Sequence, residues 1–308
     1  MISAVCTLFE NHYHYGVGAL VNSLYQNGFR GVIWAGYRGS LPIWAKNLIP
    51  HENYHEFSVA EGCSIRFVPL VTNRHLTNYK PVFMVDLWQH YCPEAENLFY
   101  FDPDITIKCR WSFFEEWVGC GIALSQDVSS YMPANHPKRF AWKRYAENKN
   151  YPVLNQVNQY FNGGLVGVSR NHISALVAWQ DLLQGLEDDG VNLIDFMPGD
   201  PTKPFYVPDQ DTLNILPMIL VDPFSTLGPE GMDFVPGGTT MSHALGSPKP
   251  WRKNMVLKAL RGVAPTAADK GYWRNVKSPI PLYSAYDKML NQVSLRIGAA
   301  IGRFIRST

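Results

Sequence analysis

Residues 98–107 read LFYFDPDITI. Leu98 to Phe101 run without polar interruption into Asp102-Pro103-Asp104, and a β-branched pattern then resumes. A short apolar run that does not alternate with polar residues marks a strand covered on both faces. Such strands belong to open α/β sheets, whose carboxyl ends face the crevice where ligands bind. Two carboxylates one residue apart, with the chain turning at Pro103, can converge there on a hard divalent cation. Such a cation takes oxygen donors and shares its coordination sphere with phosphates. A D-x-D also arises by chance in solvated turns. The LFYF run argues against that here, because a turn needs no buried strand before it.

Outward from this stretch, strand-like and helix-like segments alternate, which favours an α/β sheet with crossovers. ISAVCTLF, RGVIWAGY and CSIRFVPL read as strands before it, with VGALVNSLYQNG a helix closed by Gly28 and KPVFMVDLWQHY a helix with proline in its first turn. GCGIALSQD and FNGGLVGVSR read as strands after it, and NHISALVAWQDLLQGLEDDG as an amphipathic helix stopped at Gly190. Asp195 to Gly238 is dense in proline and glycine, so loops are expected around one short helix at DQDTLNILPMI. Beyond Trp251 the strand pattern ends. The expected division is an α/β domain over 1–251 and a helical extension over 252–308.

At 308 residues the chain is long enough for a sizeable core, and 46% hydrophobic with 17% charged residues is the composition of a globular enzyme. The 13% aromatic share suits a core and also stacking on bases or sugar rings. No window approaches the ~18 uninterrupted apolar residues of a membrane span. MISAVCTLFENHYHYG lacks a basic lead and a cleavage site, so a secretory signal is not expected. Five scattered cysteines without a C-x-x-C argue for reduced thiols and a cytoplasmic setting.

The net charge of +1 conceals an asymmetry. Residues 252–308 hold eleven Lys and Arg against two Asp, a formal +9, while 1–251 hold sixteen against twenty-four, −8. Within that tail Tyr286, Met289, Leu290, Val293, Ile297, Ile301 and Phe304 recur at helical spacing, with Lys288, Arg296, Arg303 and Arg306 beside or opposite them. Two readings follow: a terminal helix docked on the body, or an interfacial helix giving peripheral contact with anionic lipid on the inner face of the cytoplasmic membrane. Nucleic acid is disfavoured, because the acidic body repels a phosphate backbone and no binding module surrounds the charge.

Three further stretches bear on the D-x-D. NQYFNGGLVGVS places Asn162 before Gly163 and Gly164 at the start of an apolar strand, where glycine permits close approach and an amide can both donate and accept. VPDQDTLN places Asp209, Gln210 and Asp211 at a helix start. MSHALGSPKPWRK places His243 three residues before Gly246 and six before Lys249: a transition-metal ligand, a glycine whose amide can reach phosphate, and a cation to neutralise it. Each alone has a plain structural explanation as a turn former, a helix cap or a loop histidine.

In this order the four stretches resemble glycosyltransferase family eight, the group of glycogenin and the bacterial lipooligosaccharide galactosyltransferases. YFDPDITI is similar to that family's YLDxDxxV, YFNGGLVGVS to YFNAGVLLIN, DQDTLN to DQDxLN and HALGSPKPWRK to HxxGxxKPW. The likeness spans roughly residues 1–251. It implies a GT-A fold, a Rossmann-like α/β domain binding a nucleotide-sugar, with Mn2+ or Mg2+. By motif position it implies Asp102, Asp104 and His243 as metal ligands, and Asp209 and Gln210 beside the anomeric carbon. Pro103, Gly163, Gly164, Gly246 and Lys249 would line the donor site, Asp127 and Asn162 would meet the transferred sugar, and Lys80 in TNYKP would be the basic donor-binding residue. Retained anomeric configuration, a UDP-galactose or UDP-glucose donor and a glycan or lipid-linked saccharide acceptor are implied likewise. One stretch departs. Where the family has ADDNY, this chain has CTLFENHYHYG, with Thr7 and Leu8 in place of the acids and Tyr13 and Tyr15 available to stack on a base. A sugar-phosphate nucleotidyltransferase is an alternative, but its basic glycine-rich loop has no counterpart in TLFENHYHYGVG. A non-catalytic binder of nucleotide-sugar or carbohydrate is another.

Overall fold

The computed structural model describes residues 2–306. In chain order its main elements are β1 (Ser3–Glu10), α1 (His14–Gln26), β2 (Gly31–Arg38), β3 (Ile49–Pro50), β4 (His55–Ala60), β5 (Cys63–Pro69), α2 (Lys80–Asp86), β6 (Asn97–Phe101) and β7 (Ile105–Ile107). There follow α3 (Trp111–Gly119), β8 (Ile122–Tyr131), α4 (Pro137–Asn148), β9 (Gln159–Ser169), α5 (Ile173–Asp188), α6 (Pro208–Leu213), α7 (Leu216–Ile219), β10 (Phe224–Leu227) and β11 (Met241–His243). The chain ends in α8 (Met255–Leu260), α9 (Ala267–Arg274) and α10 (Ala285–Arg306).

Nine strands form one mixed sheet in the order β10-β8-β9-β6-β1-β2-β5-β4-β3. The centre, β6-β1-β2-β5, is parallel; β9 runs antiparallel to both β6 and β8. Strands β6, β1 and β2 are largely apolar on both sides because both faces are covered. In β6, Leu98 and Tyr100 enter one core while Phe99 and Phe101 enter the other, and Cys6 with Leu8 against Val5 with Phe9 divide β1 the same way. On the Leu98 face lie α2, α4 and α5; on the Phe99 face lie α1, α3 and the aromatic cluster of α9. A second, two-stranded sheet pairs β7 with β11 antiparallel, setting His243 opposite Ile105.

Several short strands exceed the sequence expectation. β4 is half-buried and antiparallel to β5, so HEFSVA lacks the unbroken apolar run of a central strand. Inside the expected 195–238 loop region, β10 adds four residues to the sheet edge, parallel to β8. Both of these strands pair through backbone groups while carrying little apolar signal.

Past Trp251 the described residues form no strand, and the segment is stitched to the body. Asn22 of α1 donates to the carbonyls of Asn275 and Ile280 (2.8 Å each) and accepts from the Ile280 N–H at 2.7 Å. Helix α10 packs on α8 through Gly298 and Gly302, where a Cβ would lie 2.8 Å from the Met255 carbonyl oxygen and 2.4 Å from Ala264 Cβ. The apolar stripe foreseen for this helix faces away from that seam: Tyr286, Met289, Leu290, Val293 and Ile297 are 45–65% exposed.

Candidate active site

The carboxyl ends of β1 and β6 open on a cleft of about 490 Å3, inside the range of small-molecule sites. Strand β6 delivers Asp102, the turn through Pro103 delivers Asp104, and the β7–β11 pairing brings His243 back across 139 residues of chain. The Ala244 N–H donates to the Asp104 carbonyl at 3.1 Å, which locks the two segments together beside the acids. His243 Nε2 lies 3.2 Å from Asp104 Oδ1 and 3.7 Å from Asp102 Oδ2. One donor atom from each of the three residues falls within 4.8 Å of the others. Neighbouring ligands on one small divalent ion stand about 3 Å apart, so the cluster fits such an ion. Two carboxylates and an imidazole suit a transition metal better than an all-oxygen calcium site.

Gly164 makes this convergence possible. A Cβ there would sit 2.6 Å from His243 Cε1 and 3.0 Å from Asp102 Oδ2. Gly16 of α1 does the same behind the acids, since its Cβ would meet the Pro103 carbonyl oxygen at 2.2 Å. The Tyr100 hydroxyl donates to Asp102 Oδ1 at 2.9 Å, and Lys249 Nζ donates to Asp104 Oδ2 and, at 2.8 Å, to the Ala244 carbonyl. Burial alone would raise the Asp104 carboxyl, but His243 and Lys249 outweigh it and hold the group well below the usual carboxylate range.

Lys80, at the start of α2, is fully buried and joins this cluster to a second. Its ammonium lies 3.3 Å from Asp102 Oδ1 and donates to Asp209 Oδ2 at 3.0 Å and to the Gly163 carbonyl at 2.9 Å. Burial would lower its pKa, yet Asp102 and Asp209 reverse the sign and raise it. For Asp209 the balance is opposite: burial pushes the carboxyl up to about 6 even against Lys80. Its Oδ1 is buried with no partner.

Gln210 is clamped at both ends of its amide. Its Oε1 accepts from the Gly163 N–H at 2.8 Å and its Nε2 donates to Asp127 Oδ2 at 3.3 Å. A flipped amide would set two donors face to face, so the orientation is forced. Asp127 Oδ2 also accepts from Asn162 Nδ2 at 2.5 Å, and Asn162 Oδ1 accepts from the Gly164 N–H at 2.9 Å.

Of the residues singled out from sequence, Leu8, Lys80, Asp102, Pro103, Asp104, Asn162, Asp209, Gln210, His243, Gly246 and Lys249 line the cleft. Asp127, Gly163 and Gly164 stand directly behind that lining, holding Asn162, Gln210 and Lys80. Thr7 and Tyr15 do not reach it. Thr7 is wholly buried in β1 among the sheet's backbone pairings, and the Tyr15 ring stacks on Tyr283 with centroids 5.2 Å apart, packing the C-terminal segment onto α1. Tyr13 does line the cleft, beside Glu10, whose carboxylate pairs with Arg38 at 2.8 Å. Sequence reasoning passed over Glu10, Tyr100, His75, Phe196 and Met197, all in the cleft wall. Glu10 had a signal, an acid at the carboxyl end of a buried strand. Tyr100 had none, because inside LFYF it is indistinguishable from core.

No protein-family model matches the chain, and no curated protein matches it. Among solved structures the chain is similar to the apo form of the bifunctional glycosyltransferase WbbM, with a TM-score of 0.56 and 14% identity over 96% of this chain and 52% of that one. The fold is GT-A-like. At that identity the likeness speaks for the fold of the mixed sheet and its flanking helices, and this chain spans about half the length of WbbM. In a GT-A-like sheet the cleft just described lies where open α/β folds hold ligands, at the carboxyl ends of the parallel strands.

Proposed function

We propose that the protein is a metal-dependent, configuration-retaining glycosyltransferase of the family-eight kind. In this reading residues 1–251 form the transferase unit and 252–308 its extension. The donor is a UDP-hexose, galactose or glucose, and the acceptor a glycan or glycolipid. The observation that carries the reading is the convergence in one cleft of Asp102, Asp104 and His243 with Lys249, Lys80 and the Asp209-Gln210 pair.

Asp102, Asp104 and His243 would hold Mn2+ or Mg2+, which when bound neutralises charge on a diphosphate leaving group. Lys249, on the HxxGxxKPW-like loop with Gly246, supplies a second positive charge on the same side, and the Gly246 backbone leaves open space for an oxyanion to approach. Across Lys80 from the metal-ligand cluster, Asp209 and Gln210 face the transferred sugar. Positive charge develops on the sugar ring as the glycosidic bond breaks, and the unpartnered Asp209 oxygen with the fixed Gln210 dipole lowers its energy. A glutamine amide held by hydrogen bonds at both ends is a poor nucleophile. That favours attack by the acceptor from the leaving-group face over a covalent intermediate. The Asp127–Asn162 pair sets the sugar-binding wall, and the half-exposed Phe196 and Met197, with the His75 ring 5.5 Å from that of Phe196, form an apolar lip suited to an acceptor sugar face.

Incubation with UDP-galactose or UDP-glucose and Mn2+, scored for UDP release, tests the reading and separates an enzyme from a binder. Asp102→Asn is expected to lower the rate by about a thousandfold or more while leaving the melting temperature of the metal-free protein within about 3 °C. Undiminished Mn2+-dependent turnover in that variant would remove Asp102 from its role.

A further inference from the structure

Helix α10 turns Tyr286, Met289, Leu290, Val293 and Ile297 outward and buries Gly298 and Gly302. Gly298 and Gly302 meet α8 and the Ala264 turn, Leu295 packs on the core, and Gln292 reaches the Trp273 carbonyl. Tyr286, Met289, Leu290, Val293 and Ile297 point the opposite way along about three helical turns. An apolar stripe turned to solvent on a helix already seated by its other face is a surface awaiting a partner. The charges around it identify that partner. Arg296 borders the stripe, Lys258 stands on the neighbouring α8 and Arg261 directly follows it; none of the three has an acidic partner among the described residues. Exposed Leu257, Leu260 and Val263 continue the apolar character on and just beyond α8. A second copy of the chain would set one +9 tail against another, whereas an anionic bilayer satisfies both the cations and the stripe. No helix among the described residues is long and apolar enough to cross a membrane, so the contact lies in the plane of the surface.

We propose that α10 lies on an anionic lipid surface, its Tyr286-to-Ile297 face in the acyl boundary and Arg296, Lys258 and Arg261 against lipid phosphates. The contact stands independently of glycosyl transfer, because it is scored without turnover. The test floats the full chain with vesicles of phosphatidylcholine, with and without phosphatidylglycerol. The protein is expected to partition onto the phosphatidylglycerol vesicles and to leave them as salt is raised. Val293→Ser/Ile297→Ser should cut partitioning by about tenfold or more, and Arg296→Glu by about fivefold or more. Both variants alter exposed side chains, and an unchanged melting temperature verifies that they fold. Equal binding to both vesicle types, equal binding by the variants, or no binding would each overturn the proposal. So would a wild-type dimer, insensitive to lipid, that the double variant converts to monomer.

Discussion

Lys80 neutralises Asp102 and Asp209 from a fully buried position, and removing its charge strands both acids. Lys80→Met should destabilise the fold by about 3–5 kcal/mol in urea unfolding, and adding Asp209→Asn should recover part of that loss. A double variant no more stable than Lys80→Met alone would deny the coupling. Asp211, two residues past Asp209 on α6, makes a different prediction. Burial pushes its carboxyl up to about 7, against donations from the Val207 N–H at 2.9 Å and the Tyr160 hydroxyl at 2.8 Å. The folded pKa lies above the unfolded value of 3.8, so the folded state binds the extra proton. Its stability contribution is therefore present below the unfolded pKa and lost as pH rises through about 7. The melting temperature should fall between about pH 5 and about pH 8, and Asp211→Asn should flatten that fall. An identical slope in the variant would contradict it. At this scale the sequence pointed to residues that the fold brings together where residue type is chemically loaded, as at Asp102, His243 and Lys249. It was opaque at Tyr100, whose hydroxyl matters only because the β6 pleat aims it at Asp102.

At the scale of elements, the site depends on strands too short to announce themselves. The three-residue β7 and β11 carry Asp104's neighbours and His243 into register, and ITI and MSH have no periodicity that could have shown their pairing. What could be read was the glycine pair after Asn162, and the structure supplies its reason: Gly164 is the clearance between β9 and the His243 ring. Gly164→Ala is expected to weaken Mn2+ binding by about 10–100-fold, because the added Cβ would push the His243 ring out of the position its supports give it. Calorimetric titration with Mn2+ measures this, and wild-type affinity in the variant would show that the ring has room to move. The helix α10 teaches the complementary lesson. Its apolar period was plain in the sequence, but the period alone does not say which face meets the protein. The small residues decided that, because Gly298 and Gly302 let the backbones approach where bulky side chains would hold them apart.

For the whole molecule, the sheet was readable because β6, β1 and β2 are buried on both faces and so carry largely apolar runs. The edges, β3, β4 and β10, were less so, since a half-covered strand keeps polar residues and pairs through its backbone. The division of charge also belongs to this scale. An acidic body surrounds a cleft whose own cations, Lys80 and Lys249, already sit against acids. On the proposed reading, a donor carrying a diphosphate would need a divalent ion to offset that acidity, and nucleotide affinity should be strongly metal-dependent. The most direct measurement is anomalous diffraction from a crystal grown with Mn2+ and UDP. The account predicts one manganese peak shared by Asp102, Asp104 and His243, with the nucleotide diphosphate on its open side beside Lys249. A peak that leaves out His243, or a diphosphate bound in the cleft with no metal between the two aspartates, would contradict it.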